Sequence, residues 1–224
     1  MIRFLDLKAI NKRFEPEFNQ VFKSFLDSGH YILGEEVGNF EQEFASYCGV
    51  KYCIGVSNGL DAISLIFSAY KELGVFKEGD EILVPANTYI ATVLAISNAG
   101  LKPKLVEPSL SSYNIGVNEI KKHITNKTRA ILGVHLYGQL YDAGALEAFC
   151  KLHDLMLIED AAQAHGAIYK DARKAGSLSA AAAFSFYPTK NLGALGDAGA
   201  ITTNKPELAK AITQLRNYGR TSTY

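Results

Sequence analysis

The chain has 224 residues, with 23 lysines and arginines against 23 aspartates and glutamates. That length supports one large domain with a substantial core, and the even charge balance excludes the bias of a nucleic-acid or membrane-surface binder. Apolar runs are short and broken by charges, which predicts no bilayer span.

Residues 1–8 lack the unbroken apolar run of a secretory signal. Three cysteines are too few for a disulfide framework, so Cys48, Cys53 and Cys150 read as small buried hydrophobes. A cytoplasmic, soluble protein is expected. A helix is predicted near 16–28, with Phe18, Val21, Phe22 and Phe25 on one stripe and Gly29 as its stop. Residues 30–37 read as a mixed loop, and Phe40, Phe44 and Tyr47 mark a second helix. From there strands alternate with helices. Apolar strands are predicted over 52–56, 81–85, 103–106, 130–134 and 156–159, and helices over 59–73, 88–99, 117–123 and 142–153. A last helix covers 207–218. Strands apolar on both faces, separated by helices of that length, predict one α/β domain with a mostly parallel central sheet and helices on both faces.

In such a sheet ligands sit at the carboxyl ends of the strands. Ser57, Asn58 and Gly59 follow the first strand and open a helix, a seat for phosphate worth about 0.3–1 kcal/mol per charge from the dipole alone. An ordinary helix cap explains Ser and Asn equally well. Thr88 is a candidate cap for the next helix, and Tyr89 in its first turn can lie flat against a planar ring. Glu159 and Asp160 end the fifth strand; a buried Asp160 needs a cationic partner, and a protonated pyridine nitrogen is one. Gln163 is placed to bond a ring hydroxyl and His165 to act on substrate. A metal bound by His135, Asp160 and His165 matches no standard ligand spacing. No strand runs into G-x-G-x-x-G, and no Walker-type loop is present.

The stretch Ala183-Phe184-Ser185-Phe186-Tyr187-Pro188-Thr189-Lys190-Asn191-Leu192-Gly193 begins as an aromatic strand, breaks at a proline and sets one lysine in a turn of small residues. An ammonium confined among apolar walls loses its proton more readily, which predicts a nucleophile suited to a Schiff base.

Phosphate seat, stacking aromatic, acid and lysine occur in the order found in type I pyridoxal-phosphate enzymes. With Glu159-Asp160-Ala161-Ala162-Gln163-Ala164-His165-Gly166 and the lysine stretch, the chain resembles the DegT/DnrJ/EryC1 family of sugar-nucleotide aminotransferases from Phe4 to Gly219. The resemblance implies pyridoxal 5'-phosphate as cofactor and Lys190 as the catalytic lysine that joins it. It further implies Asp160 on the pyridine nitrogen, Gln163 beside the ring hydroxyl and Tyr89 stacked on the ring. Ser57, Asn58, Gly59 and Ser185 fall at the phosphate, and His165, Tyr187 and Tyr31 on the substrate side. The runs His30-Tyr31-Ile32-Leu33-Gly34 and Gly133-Val134-His135-Leu136-Tyr137-Gly138-Gln139 resemble members that aminate a dTDP-linked 3-keto-6-deoxyhexose with L-glutamate as donor. The 4-keto enzymes are near neighbours, and a truncated cofactor-binding module without turnover is the alternative from another class. Sugar dehydratases of similar sequence carry histidine at the lysine position, against Lys190 here. By the same resemblance residues 1–224 are the large domain of a homodimer; the family's smaller carboxy-terminal domain is absent here, the sequence being either a fragment or a protein that lacks it. Residues 177–183 are simpler than the usual approach to the lysine strand, with Ala183 in place of a common glycine and Thr189 in place of a common small residue.

Overall fold

The alternation predicted from residue 52 onward builds one seven-stranded sheet; the computed structural model describes residues 4–221. Residues 1–3, part of the stretch read for a signal, and residues 222–224 lie outside the described residues. The strands are β1 (Tyr52–Val56), β2 (Glu81–Pro85), β3 (Lys102–Val106), β4 (Thr128–Val134), β5 (Met156–Asp160), β6 (Ala182–Ser185) and β7 (Gly199–Thr203), ordered β1-β7-β6-β5-β4-β2-β3. Pairings from β6 through β5, β4 and β2 to β3 are parallel. Strand β7 runs antiparallel to both of its neighbours. Its sequence, Gly-Ala-Ile-Thr-Thr, carries little apolar bulk, and no strand is predicted there from sequence.

Eight α-helices are described: α1 (Leu7–Lys12), α2 (Glu15–Ser28), α3 (Glu35–Cys48), α4 (Gly59–Glu72), α5 (Ile90–Asn98), α6 (Val117–Ile120), α7 (Ala143–Leu152) and α8 (Pro206–Leu215). Helix α1 is unforeseen, and α3 starts inside the predicted 30–37 loop, because Glu35 and Glu36 favour a helix N-terminus. Tyr89, not Thr88, occupies the cap position of α5. Gly29 ends α2 in the left-handed conformation (φ 67°), as its role as a stop requires.

The pleat sorts side chains onto two faces. Ile82, Val84, Leu132, Ile158, Ala183 and Ile201 face the core under α4, α5 and α8. On the other face Leu83, Ile131 and Leu157 pack under α6 and α7, while Cys53, Phe184 and Ala200 meet α3. No residue of α2 is buried, whereas α4, of equal length, buries six. All three cysteines are buried thiols, and burial pushes those of Cys48 and Cys150 up to about 12. None of the described helices is long and apolar enough to cross a membrane.

Candidate active site

A cavity of ≈ 670 Å³ opens at the carboxyl ends of β1, β5 and β6, on the α4–α5 side of the sheet. Asn58, Gly59, Tyr89, Asp160, Gln163, Ser185, Tyr187 and Lys190 line it, so most of the residues selected from sequence converge there.

The phosphate seat is built by close approach. A Cβ at Gly59 would lie 2.7 Å from the Ser185 Cβ, so glycine alone lets the first turn of α4 press onto β6. Asn58 caps α4: its Oδ1 accepts the Asp61 N–H at 2.8 Å, and its Nδ2 donates to Asp61 Oδ2 at 3.0 Å. The Ser57 hydroxyl also donates to Asp61 Oδ2, and Ser57 does not line the cavity, which corrects its expected contact with phosphate. What remains for an anion is the helix N-terminus and Ser185, with Asn58 acting as the cap that sequence alone left open.

Asp160 is buried at the cavity floor. Its Oδ2 accepts the Thr92 hydroxyl at 2.8 Å and its Oδ1 the Ala162 N–H at 3.1 Å. Burial raises its carboxyl above the usual range; the Thr92 and Ala162 hydrogen bonds oppose the shift, as does the charge of Lys190. Both hydrogen-bond donors are neutral, so the carboxylate lacks the cation that its burial calls for. Thr92 was missed from sequence, although it stands four residues after Thr88 and their hydroxyls meet at 2.8 Å.

Lys190 sits in the turn expected of it. Its N–H donates to the Tyr187 carbonyl at 2.8 Å, with Pro188 in the second turn position, where its fixed φ is favourable. A Cβ at Gly193 would meet the Pro188 carbonyl at 2.5 Å, so the loop folds tightly over the proline. The lysine is half-buried, and Asp160, Gln163, Thr189 and Asp197 share its cavity. Ile63, Ile90, Leu94, Val134 and Leu136 give the same cavity the apolar walls expected around the lysine. Tyr89 and Tyr187 stand exposed at the mouth.

Two substrate candidates fall elsewhere. His165 packs on the opposite face among Phe44, Phe184 and Phe186, because Phe184 and Phe186 alternate along the chain with Ser185, which faces the cavity. Its Nδ1 pairs with Asn191 Oδ1 at 2.7 Å, and burial lowers its pKa. Tyr31 follows the unburied α2; its hydroxyl donates to the Leu26 carbonyl at 3.1 Å and its ring tilts against Phe25. Neither lines the cavity. Leu136 and Asp197 do, and neither was selected from sequence.

The site fits pyridoxal phosphate on its own geometry: an anion seat at one end, a buried acid seeking a cation on the floor, and a primary amine within the same cavity. Comparison with known proteins agrees. The model of the DegT/DnrJ/EryC1/StrS aminotransferase family matches residues 12–224. The dTDP-3-amino-3,6-dideoxy-alpha-D-galactopyranose transaminase of Aneurinibacillus thermoaerophilus is 56% identical over 100% of this chain and 60% of its own length. The crystal structure of DesV from S. venezuelae, in complex with a ketimine intermediate, superposes with a TM-score of 0.93 at 47% identity, covering 100% of this chain and 59% of that one. NtdA of Bacillus subtilis, solved with bound cofactor PMP, gives 0.85 at 32% identity over 95% of this chain and 47% of that one. The chain thus spans about 60% of the length of the curated relative and of DesV. The sheet has the type I architecture of those enzymes, the family uses pyridoxal phosphate, and the chain belongs to the DegT/DnrJ/EryC1/StrS aminotransferase family.

Proposed function

We propose that residues 1–224 are the cofactor-binding large domain of an aminotransferase that acts on a nucleotide-linked keto-deoxysugar. The substrate we assign is a dTDP-3-keto-6-deoxyhexose, with L-glutamate as amino donor. The observation that carries this reading is the buried, cation-seeking Asp160 on the floor of a cavity that also holds Lys190. The choice of carbon 3 leans on the relative named for a 3-amino sugar.

Pyridoxal phosphate, when bound, supplies an electron sink and carries the amino group from donor to acceptor. The chain's own residues do the rest. The α4 N-terminus, Gly59 and Ser185 hold the phosphate, Asp160 favours the protonated ring nitrogen, and Gln163 meets the ring oxygen. Tyr89 covers the ring, Tyr187 stands on the substrate side, and the Lys190 amine holds the cofactor and then moves a proton at the reacting carbon. A homodimer and a cytoplasmic location complete the proposal; the uncovered apolar stripe of α2 supports a partner surface there.

The test is covalent. Pyridoxal phosphate should be fixed by borohydride on the peptide that carries Lys190, and Lys190→Ala should abolish both the label and transamination. Adding L-glutamate before borohydride should erase the label if the chain accepts L-glutamate as amino donor. Labelling elsewhere, or in Lys190→Ala, sinks the assignment; a label that glutamate leaves untouched favours a binding module without turnover.

A further inference from the structure

We propose that Glu159 and His135 form a buried clasp that positions Gln163 in the cavity, acting through the Tyr137 amide. The proposal rests on the cavity being a cofactor site and names residues that touch neither cofactor nor substrate. Strand β5 ends in two acids whose side chains leave opposite faces. Asp160 reaches the cavity, while Glu159 is fully buried on the other side. Four donors converge on Glu159: His135 Nε2 at 3.0 Å, the Gly176 N–H at 2.8 Å, the Leu178 N–H at 2.8 Å and the Ser179 hydroxyl at 3.0 Å.

The histidine's proton can be placed. The Tyr141 N–H donates to Nδ1 at 3.4 Å, so Nδ1 carries a lone pair and Nε2 carries the hydrogen given to Glu159. The imidazole also stacks on the Tyr141 ring, with centroids 4.3 Å apart. Gly133 is what admits that ring, since a Cβ there would lie 2.5 Å from it. His135 is thereby fixed on both edges and one face.

Its backbone passes the constraint on. The His135 N–H donates to the Asp160 carbonyl at 3.1 Å, and its own carbonyl accepts the Gly138 N–H at 3.1 Å, closing the short 3-10 turn Leu136–Gly138. Within that turn Tyr137 adopts φ 53° and ψ 26°, a left-handed conformation that disfavours a residue with a Cβ. The Tyr137 N–H donates to Gln163 Oε1 at 2.7 Å. A side-chain amide has one acceptor oxygen and one NH2 group. With the oxygen held, Gln163 presents its NH2 to the cavity, ready to donate to an acceptor such as the ring oxygen. A reversed amide would present oxygen to oxygen.

A double-mutant cycle reads this directly. In the 224-residue protein, Glu159→Gln and His135→Phe should each weaken pyridoxal phosphate binding about 3- to 10-fold, the worth of one hydrogen bond. Neither should weaken it further once Gln163→Ala is present. Additive losses would mean that the pair acts on general stability and would overturn the clasp. A second readout uses the cofactor-free protein. Hydrogen exchange at the Tyr137 amide should be slow in the wild type and fast in Gln163→Ala, Glu159→Gln and His135→Phe. Should the last two fail to fold, Ser179→Ala, which removes a single donor to Glu159, should quicken the same exchange more mildly. Unchanged exchange at Tyr137 refutes the proposal, whereas wild-type protein that binds no pyridoxal phosphate refutes the function above and leaves the exchange result to judge the clasp.

Discussion

Glu159 and Asp160 are adjacent acids, both buried, and the fold treats them oppositely. Glu159 receives four hydrogen bonds from two segments of chain, among them two backbone amides of the loop before β6. Asp160 receives two, one of them from a threonine hydroxyl on α5, and burial drives its carboxyl toward the neutral form. One carboxyl group is saturated by the protein. The other is held half-satisfied beside an open cavity, which is how a fold stores affinity for a cation it does not itself supply.

The largest expected effect comes from breaking the saturated side. Glu159→Ala leaves two amides, a hydroxyl and an imidazole N–H facing a hole, and should cost about 3–5 kcal/mol. For a chain this size that is about 10 °C in melting temperature. Urea unfolding of the cofactor-free protein measures it. A loss under 1 kcal/mol would show that the four donors find other partners and that Glu159 is no more structural than its neighbour.

This asymmetry was only half legible in the sequence. Periodicity located β1 through β5 to within two residues, because strands apolar on both faces read the same from either side. The same property hid the four donors that meet Glu159: a run such as Met-Leu-Ile-Glu-Asp has no polar face to announce them. Lys190, Asp160 and Gln163 were legible because proline, strand end and turn punctuate the chain beside them. His165 was misplaced for a related reason. Its exclusion from the cavity depends on Phe44, Phe184 and Phe186 closing around it, contacts made across 121 and about 20 residues of chain. Strand β7 escaped notice because small residues and threonines make it, and its place between β1 and β6 supplies the burial that its composition does not advertise.

A smaller effect, and one of opposite sign in the two states, should follow from neutralising the other acid. Asp160→Asn should weaken pyridoxal phosphate binding about 10- to 100-fold, through loss of a charge-assisted hydrogen bond to the ring, yet leave the cofactor-free protein as stable as before or more so. The pH dependence carries the sign. The folded carboxyl is raised above its ordinary value of 3.8, so on the way up from that pH the folded chain keeps a proton that the unfolded chain has lost. Its contribution to stability therefore falls as pH climbs from about 3.8 through the raised value, and is flat above it. Asparagine has no such decline. Unfolding curves of the two cofactor-free proteins should diverge with rising pH in favour of the variant; curves that stay parallel would mean that Asp160 is not desolvated.

The smallest change tests the hinge of the comparison, the hydroxyl that supplies half of Asp160's hydrogen bonds. Thr92→Val keeps the shape of the side chain and removes the bond to Oδ2. That bond is first among the influences that hold the Asp160 carboxyl down, ahead of the Ala162 amide and the charge of Lys190. Without it the carboxyl should climb further, so the divergence between Asp160 and Asp160→Asn stabilities should still open near 3.8 but level off at a higher pH when measured in the Thr92→Val background. The stability cost of the single substitution is about 0.5–1.5 kcal/mol at neutral pH, where the charged carboxylate misses the donor most. It should shrink toward acid, where a protonated Asp160 no longer needs it. A cost that is the same at both ends would place the threonine's value in packing under α5 rather than in the carboxylate it faces.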